Sequence, residues 1–347
     1  LTLITGVTGF VAAHVLDAVL ASPQKYRVRG TMRSMAKKDE ILNRLKPEDR
    51  ERVEFVHVED TASSDLSGAL DGVKIVFHVA SPFQIQVDDV AKDLLDPALD
   101  GTLNVLQAAQ KQASVKKIVI TSSFAAVTDL NAGDTQRPGY VYTEKDWNPA
   151  TYKEAAAATG PMAGVFAYYA SKKLAEKAAY DFVKENKSTF EIASINPPVI
   201  YGPTIQPGVT QKNLNLSSSG IYAMISSLDE MPGDHLPLYC DVRDVALAHV
   251  LAVEKEGAMG SRYLTSGGLF TWPQAAHLLA EKRPELKSRL PKNWEQVPVE
   301  DVSSKFASID TSHAQKQLGL QFRSWQSTFL DSVDSLVELE KSAHWSR

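Results

Sequence analysis

The first twelve residues, LTLITGVTGFVA (1–12), decide the fold. The apolar run Leu1–Thr5 predicts a buried strand, and it leads through a pair of glycines into the helical stretch Phe10–Ala21. Gly6 permits a tight turn, Gly9 lets backbone amides approach a pyrophosphate, and the small Ala12 allows close packing of helix on strand. A plain glycine-rich turn is the alternative. The turn predicts cofactor contacts from Thr5, Gly6, Thr8, Gly9, Phe10 and Val11.

Short β-branched runs alternate with helical stretches over the first 200 residues, which predicts an α/β fold with a Rossmann-type doubly wound parallel sheet. The predicted strands are Leu1–Thr5, Tyr26–Met32, Val53–Val58, Lys74–Val79, Lys116–Thr121 and Glu191–Asn196. The predicted helices are Phe10–Ala21, Lys37–Leu45, Asp88–Gln112 and Phe166–Lys184. We expect a dinucleotide-binding Rossmann domain over 1–200, with an insertion at about 130–165 near the substrate site. We expect 201–347 to form mainly a smaller C-terminal substrate-binding lobe, with about 236–265 returning to the Rossmann core.

The composition excludes several classes of protein. A net charge of −5, with 44% apolar and 23% charged residues, gives no indication of a nucleic acid or anionic membrane partner. No apolar run reaches the roughly 18 residues that span a bilayer. Cys240 is the single cysteine, which fits a reducing cytosol, and neither it nor the eight histidines show the spacing of metal ligands. We expect a cytoplasmic monomer or homodimer that binds no metal.

The end of the second strand indicates which dinucleotide is bound. An NAD site usually has a carboxylate there, but this chain has none and offers Arg33 and Lys37 instead. Two cations predict binding of a 2′-phosphate and hence NADPH, although a solvated basic helix start is the alternative. Asp60, after the third strand, can accept from the adenine amino group or be an exposed loop acid. Further predicted cofactor contacts are Thr61, Val79, Ala80, Ser81 and Thr121.

A hydroxyl-rich strand end and a tyrosine-lysine helix predict the chemistry. The fifth strand ends in Thr121-Ser122-Ser123, and two pairs with four-residue spacing follow, Tyr168/Lys172 and Tyr169/Lys173. Such spacing puts both side chains on one helix face, where an ammonium is expected to lower the tyrosine pKa and make the phenol an acid or base. A serine hydroxyl can hold a carbonyl oxygen while hydride arrives.

The helix pattern separates the two pairs. Tyr169 falls on a polar stripe that predicts exposure to solvent, whereas Tyr168 and Lys172 share a face with small residues beside a core stripe. The polar stripe consists of Lys173, Glu176, Lys177, Tyr180 and Lys184, the small residues are Ala175 and Ala179, and the core stripe is Leu174, Ala178 and Phe182. The pattern favours Tyr168 and Lys172.

Several motifs together resemble an extended short-chain dehydrogenase/reductase. They are Thr5–Ala12, the Ser123/Tyr168/Lys172 set, PPVIYGP at 197–203 and DVRDVALAH at 241–249. WNPAT at 147–151 and SKKLAEKAA at 171–179 are similar more narrowly to yeast methylglyoxal/isovaleraldehyde reductases and fungal carbonyl (keto)reductases. These are related to dihydroflavonol 4-reductase and cinnamoyl-CoA reductase. The resemblance covers nearly the whole chain.

The resemblance implies NADPH-dependent reduction of aldehydes and ketones to alcohols. Ser123 would orient the carbonyl, Tyr168 would donate the proton, and Lys172 would bind the nicotinamide ribose and tune Tyr168. Arg33 and Lys37 would hold the 2′-phosphate. Further positions implied are Pro197 and Val199 against the nicotinamide, and Phe83, Phe124, Phe166 and Tyr201 as pocket walls or packing residues.

Two other functions stay open. One is a sterol or sugar-nucleotide dehydrogenase or epimerase, and the other is an NADP(H)-sensing protein without activity. The sequence SFAAV at 123–127 departs from the sugar epimerases and dehydratases, which typically have Val-Tyr-Gly there. The presence of both Tyr168 and Lys172 argues against a mere sensor.

Overall fold

The computed structural model describes residues 1–81, 89–234, 237–342 and 345. In chain order the strands are β1 (Thr2–Ile4), β2 (Val28–Met32), β3 (Val53–His57), β4 (Ile75–His78), β5 (Lys117–Thr121), β6 (Val141–Tyr142), β7 (Glu191–Asn196), β8 (Val199–Tyr201), β9 (Leu238–Asp241), β10 (Arg262–Leu264), β11 (Gly268–Leu269) and β12 (Ser308–Ile309). The α-helices are α1 (Phe10–Ala21), α2 (Lys38–Arg44), α3 (Pro47–Arg50), α4 (Ser67–Leu70), α5 (Asp96–Gln110), α6 (Tyr152–Ala156), α7 (Ala163–Glu185), α8 (Leu216–Met224), α9 (Val242–Glu254), α10 (Trp272–Lys282), α11 (Ser312–Leu318) and α12 (Trp325–Glu340).

A parallel sheet of seven strands organises the molecule, in the order β10-β7-β5-β4-β1-β2-β3. The order reverses between β1 and β4, so the connections leaving these two strands run in opposite directions and leave a crevice at their carboxyl ends. The predicted doubly wound Rossmann-type fold is confirmed. The crevice lies where the glycine turn after β1 meets the loop after β4.

Most predicted elements recur with small shifts at their ends. The bounds of α1 and β7 match the prediction, whereas α7 begins at Ala163 and ends at Glu185. The long helix expected over 88–112 is α5, preceded by a π-helical turn at Ala91–Leu95. Pro97 explains the irregular start, because proline lacks the amide that a regular turn needs there.

Alternate residues of the strands face two different helical layers. Ile4 and Phe77 pack in a buried cluster with α1 and α9 residues, while Leu3 and Val76 pack on the opposite face with α5 and α7 residues. Both faces are therefore covered, which is why these strands are apolar throughout rather than alternating with polar residues. This double burial holds the carboxyl ends of β1, β4 and β5 rigidly beside one another.

The chain after β7 contributes both to the large sheet and to a separate, smaller sheet with its own helices. β10 joins the edge of the large sheet and α9 packs against α1, whereas β8, β9 and β11 form a separate three-stranded sheet. A third apolar cluster, with Tyr201, Phe270 and Phe329, joins that sheet to α8, α10 and α12. β6 and β12 pair as a small parallel ribbon. Within the ranges described, none of the helices is both long and apolar enough to cross a membrane.

The segment 241–249 connects these parts. Asp241 caps α9 by accepting from the Arg243 amide at 2.8 Å, and it also accepts from the Thr328 hydroxyl on α12 at 2.8 Å. Asp244, three residues on, accepts from the backbone amide and the guanidinium of Arg323. These contacts give the motif a structural role, since they fasten α9 of the Rossmann core to the C-terminal helices.

Candidate active site

The glycine turn after β1 forms an open cradle. Gly6 has φ of +64°, and a Cβ at this position would lie 3.0 Å from the Ala80 Cβ, so only glycine fits there without strain. Its amide donates to the Thr31 hydroxyl at 2.9 Å. Gly9 is exposed and begins α1 without a side-chain cap, which leaves the first amides of α1 directed toward the crevice. This geometry fits a dinucleotide pyrophosphate.

Thr5 fastens the turn to the loop after β4. Its hydroxyl accepts from the amides of Val79 and Ala80, each at 3.0 Å, so its own proton is directed to Nδ1 of His78 at 3.1 Å. His78 is thereby assigned the neutral tautomer with the proton on Nε2. Burial, with a smaller effect of Lys172, lowers the pKa of His78 to about 4, so the ring stays neutral at physiological pH. The two loops of the crevice are held as one unit.

The two cations predicted to bind a 2′-phosphate lie at the outer end of the crevice. Arg33 is exposed, and its carbonyl contacts Nε2 of His57 at 3.1 Å. Lys37 lies against Gly208, since a Cβ there would be 3.0 Å from the Lys37 Nζ. Among the residues that the structure describes, neither cation forms a salt bridge with a carboxylate. Both side chains keep their charge available for a phosphate.

Asp60 and Thr61 follow β3 at the same end of the crevice. The exposed Asp60 carboxylate accepts from the Ala62 amide at 3.0 Å and from the Ser63 hydroxyl at 2.8 Å, which closes a local turn. The Thr61 carbonyl accepts from Asn104 at 2.9 Å. The local turn agrees with the exposed loop acid of the sequence analysis, and the adenine contact of Asp60 stays a prediction.

Ser123, Tyr168 and Lys172 come together at the inner end of the crevice. The side chains of Tyr168 and Ser123 are hydrogen-bonded to each other, and Ser123 Oγ also accepts from the Ala125 amide at 3.1 Å. Lys172 is 9% exposed, its Nζ donates to Ser81 Oγ at 2.7 Å, and the same Nζ lies 5.6 Å from the centre of the Tyr168 ring. A phenol, a hydroxyl and an ammonium thus face one small volume beside β4 and β5.

Burial determines the protonation of these groups, and one expectation was wrong. We expected the ammonium to lower the tyrosine pKa, but burial raises the pKa of Tyr168 to about 12, an effect that the Ser123 hydrogen bond only reduces. Burial also lowers the pKa of Lys172 to about 8. At neutral pH Tyr168 is therefore a protonated donor beside a predominantly charged lysine, which suits the reductive direction.

The competing pair, Tyr169 and Lys173, is engaged elsewhere. The Tyr169 hydroxyl donates to the Asp134 carboxylate at 3.1 Å, and Lys173 Nζ donates to the Ala150 carbonyl at 2.9 Å. The predicted exposure of Tyr169 was wrong, because Asp134 and Ala150 lie against this part of the helix and leave Tyr169 and Lys173 partly buried. Lys177 and Lys184 of the same stripe are exposed as predicted. The helix stripes were also misassigned: Glu176 is buried, and Leu174, Ala178 and Phe182 are only partly buried.

Thr121 and Pro197 hold the loops on either side of Ser123. The Thr121 hydroxyl donates a hydrogen bond to Nε2 of His249 at 2.7 Å, because Nδ1 of His249 carries the proton and donates to the Val245 carbonyl, also at 2.7 Å. Thr121 is therefore a partner of a buried histidine, and its predicted cofactor contact has no support from this geometry. The carbonyl of the buried Pro197 accepts from the Phe124 amide at 2.8 Å, and Val199 follows in β8, partly buried.

The predicted aromatic pocket residues behave mostly as packing residues. Phe124 is buried edge-on against Tyr142, with ring centres 5.1 Å apart, and Tyr201 is buried against Phe270 at 5.3 Å. Phe166 packs at the margin of the apolar cluster that contains Leu94 and Leu95 of the π-turn. Phe83 lies outside the described residues. The packing alternative left open by the sequence therefore fits Phe124 and Tyr201.

Sequence reasoning missed a buried polar network one helical turn beyond Lys172. The Glu176 carboxylate accepts hydrogen bonds from Ser122, Ser194, Asn196 and Arg262. The sequence analysis assigned Glu176 to the polar stripe, although its four-residue spacing from Lys172 also places it near the Lys172 face, and its partners are distant in sequence. In the part of the chain that the structure describes, no group of three His, Cys, Asp or Glu side chains is arranged to hold a metal ion.

Comparisons with known proteins agree with this geometry. A family model described as the NAD dependent epimerase/dehydratase family matches residues 2–264. A putative uncharacterized oxidoreductase of Schizosaccharomyces pombe is 42% identical over 97% of this chain and 97% of the relative. The NADPH-dependent methylglyoxal reductase of Saccharomyces cerevisiae is 32% identical over 97% of this chain and 98% of its own length.

Solved structures give the same result. The crystal structure of yeast methylglyoxal/isovaleraldehyde reductase complexed with NADPH superposes with a TM-score of 0.82 at 31% identity, covering 98% of both chains. This similarity therefore extends over nearly the whole chain. The resemblance inferred from the motifs is confirmed, and the chain belongs to the NAD dependent epimerase/dehydratase family, the extended short-chain dehydrogenases/reductases, as an oxidoreductase.

Proposed function

We propose that the protein reduces small aldehydes and ketones to alcohols with NADPH. The observation that carries the proposal is the hydrogen bond between Tyr168 and Ser123, formed beside the buried ammonium of Lys172. A carbonyl oxygen that enters between the two hydroxyls would accept a hydrogen bond from each of them. The yeast methylglyoxal reductase named above, which is NADPH-dependent and has a solved structure with NADPH bound, supports the same activity.

The crevice offers a suitable place for each part of the cofactor. The pyrophosphate fits the amides of the Gly6–Gly9 turn at the start of α1, and the exposed guanidinium of Arg33 with Lys37 would pair with the 2′-phosphate. Lys172 would donate a hydrogen bond to the nicotinamide ribose. When bound, NADPH supplies the hydride.

The remaining chemistry belongs to the side chains. Ser123 would orient the carbonyl, and Tyr168 would deliver its hydroxyl proton to the oxygen as negative charge develops there. The Lys172 ammonium would stabilise the phenolate that remains until solvent returns the proton. Because a pKa of about 12 keeps Tyr168 protonated at neutral pH, the acid form is ready before substrate binds.

NADPH consumption tests the proposal, measured against a panel of short aldehydes, α-dicarbonyls, aryl ketones and β-ketoesters. We expect turnover with several members and formation of the corresponding alcohol. Binding of NADPH without net consumption would contradict the proposal. Interconversion of a sugar nucleotide with the cofactor retained would instead indicate an epimerase, and no response to any carbonyl would indicate a sensor.

A further inference from the structure

The buried carboxylate of Glu176 lies between the catalytic helix and the strand end that carries Ser123. Glu176 is 1% exposed and follows Lys172 by one turn of α7. Its Oε2 accepts from Ser122 Oγ at 2.6 Å and from Asn196 Nδ2 at 2.7 Å. Ser122 directly follows β5, and Asn196 ends β7. One carboxylate thus joins both strand ends to the helix of Tyr168 and Lys172.

Asn196 extends this connection to Ser123 itself. One hydrogen of its amide goes to Glu176 and the other to the Ser123 carbonyl at 3.2 Å. The amide cannot be turned over, because its oxygen would then face the Glu176 carboxylate. Ser123 is therefore held from two sides, through the side chain of its neighbour Ser122 and through its own carbonyl.

The other oxygen of Glu176 connects the helix to the insertion. Oε1 accepts from Nε of Arg262 at 2.7 Å, and Arg262, which is 8% exposed, also donates to the carbonyls of Glu144 and Asp146 at 2.7 Å each. Its guanidinium lies 3.6 Å from the centre of the Trp147 ring. The residue after that tryptophan, Asn148, donates to the Ala125 carbonyl at 3.0 Å.

Stability alone does not account well for this arrangement. A buried ion pair costs desolvation on both sides and is often replaceable by apolar residues without loss of stability. The directed hydrogen bonds of this network, in which Nη2 of Arg262 is left without a partner among the described residues, instead determine where the linked backbone lies. The contacts through Ser122, Asn196 and Arg262 lead to the turn Ser123–Val127 or to the segment packed against that turn, whereas the fourth contact, from Ser194, stays within β7.

We propose that Glu176, acting through Ser122, Asn196 and Arg262, is a positioning residue that sets the place of Ser123 relative to Tyr168 and Lys172. This inference rests on the proposed carbonyl reduction for its kinetic consequence. Misplacement of an orienting hydroxyl by about 1 Å can cost on the order of a hundredfold in rate. Loss of Glu176 should therefore reduce kcat while NADPH binding persists.

The test compares Glu176→Gln with Asp244→Asn. Both are buried carboxylates that accept from an arginine, but Asp244 lies at the start of α9 and contacts Arg323, away from the catalytic turn. We expect Glu176→Gln to lower kcat by about ten- to a hundredfold with the NADPH Kd within about threefold of wild type. Both variants should lower the Tm by a similar amount, but Asp244→Asn should leave kcat within about twofold of wild type. Glu176→Asp should recover part of the lost kcat.

A second variant covers the case in which Glu176→Gln fails to fold. Asn196→Ala removes the link to the Ser123 carbonyl but keeps the ion pair with Arg262, and we expect kcat to fall about tenfold. The double variant should lose little beyond Glu176→Gln, because both changes break one path. An unchanged kcat in either single variant, or an equal loss of kcat in Asp244→Asn, would overturn the proposal.

Amide hydrogen exchange separates this inference from the proposed function. We expect the amides of Ser123–Val127 to exchange faster in Glu176→Gln and Asn196→Ala than in wild type, and to be unaltered in Asp244→Asn. This readout needs no substrate, so it decides the positioning role even if the wild-type protein reduces no carbonyl. Unaltered amide exchange at this turn in both Glu176→Gln and Asn196→Ala would refute the positioning role of Glu176.

Discussion

The two ends of the crevice are built differently. At the inner end, Lys172 is buried and Tyr168 is partly buried, and the two side chains are hydrogen-bonded to Ser81 and Ser123, which follow β4 and β5. At the outer end, Arg33 is exposed, and the described residues provide no carboxylate to hold it or Lys37. The protein thus places its reacting groups in advance, whereas long side chains at the phosphate end must lose conformational entropy on binding. Changes at the inner end should alter kcat, and changes at the outer end should alter the KM for cofactor.

Replacement of the buried lysine should give the largest effect of the three changes that follow. Lys172→Met removes the ammonium that is meant to bind the ribose and stabilise the phenolate, and we expect kcat/KM to fall by at least about a hundredfold. Lys173→Met is the matched control, since Lys173 donates to the Ala150 carbonyl rather than to Ser81, and it should stay within a few-fold of wild type. Steady-state kinetics of both variants check this. An active Lys172→Met with an inactive Lys173→Met would reverse the assignment of the two pairs.

Removal of a cation at the outer end should give a moderate and selective effect. Arg33→Ala should raise the KM for NADPH by about ten- to a hundredfold, leave kcat nearly unchanged and barely affect NADH, because only NADPH carries the 2′-phosphate. Lys38→Ala, an exposed neighbour in α2, serves as the control for a general loss of positive charge. Equal use of NADH and NADPH by the wild-type protein would disprove the phosphate site.

The pH dependence should give the smallest effect within the working range. Burial lowers the pKa of Lys172 to about 8, so the ammonium is present below this value and is lost as the pH rises through it. The kcat/KM for reduction should be flat near pH 7 and fall by up to about tenfold for each unit above pH 8. Tyr168, whose pKa burial raises to about 12, should not titrate in this range. A profile that stays flat to pH 10 would show that the charge on Lys172 is not required.

Local sequence patterns predicted the parts that local forces determine. The glycine turn, the bounds of α1 and β7, and the doubly wound parallel sheet follow from apolar runs and from the backbone freedom of Gly6. That a hydroxyl at the end of β5 would lie beside Tyr168 followed from their places at a strand end and on a helix, while the choice of Ser123 came from the resemblance to the family. These features depend on neighbours in sequence or on rules that hold for every parallel sheet.

The errors all arise from contacts between distant segments. The helix pattern assumed solvent beyond the polar stripe, but Asp134 and Ala150 of the insertion cover Tyr169 and Lys173. Glu176 looked solvated because its partner Arg262 lies 86 positions away. The raised pKa of Tyr168 likewise depends on how completely other elements bury it. No periodicity within α7 encodes these neighbours.

Two adjacent tyrosines give the most direct test of the whole account. Tyr168→Phe removes the proposed proton donor, and we expect kcat to fall by about 10²–10⁴-fold while NADPH binding, followed by its fluorescence, is retained. Tyr169→Phe removes only the hydrogen bond to Asp134 and should keep kcat within a few-fold of wild type. If Tyr169→Phe is inactive and Tyr168→Phe retains its activity, the assignment of the catalytic pair is wrong and the proposed mechanism fails with it.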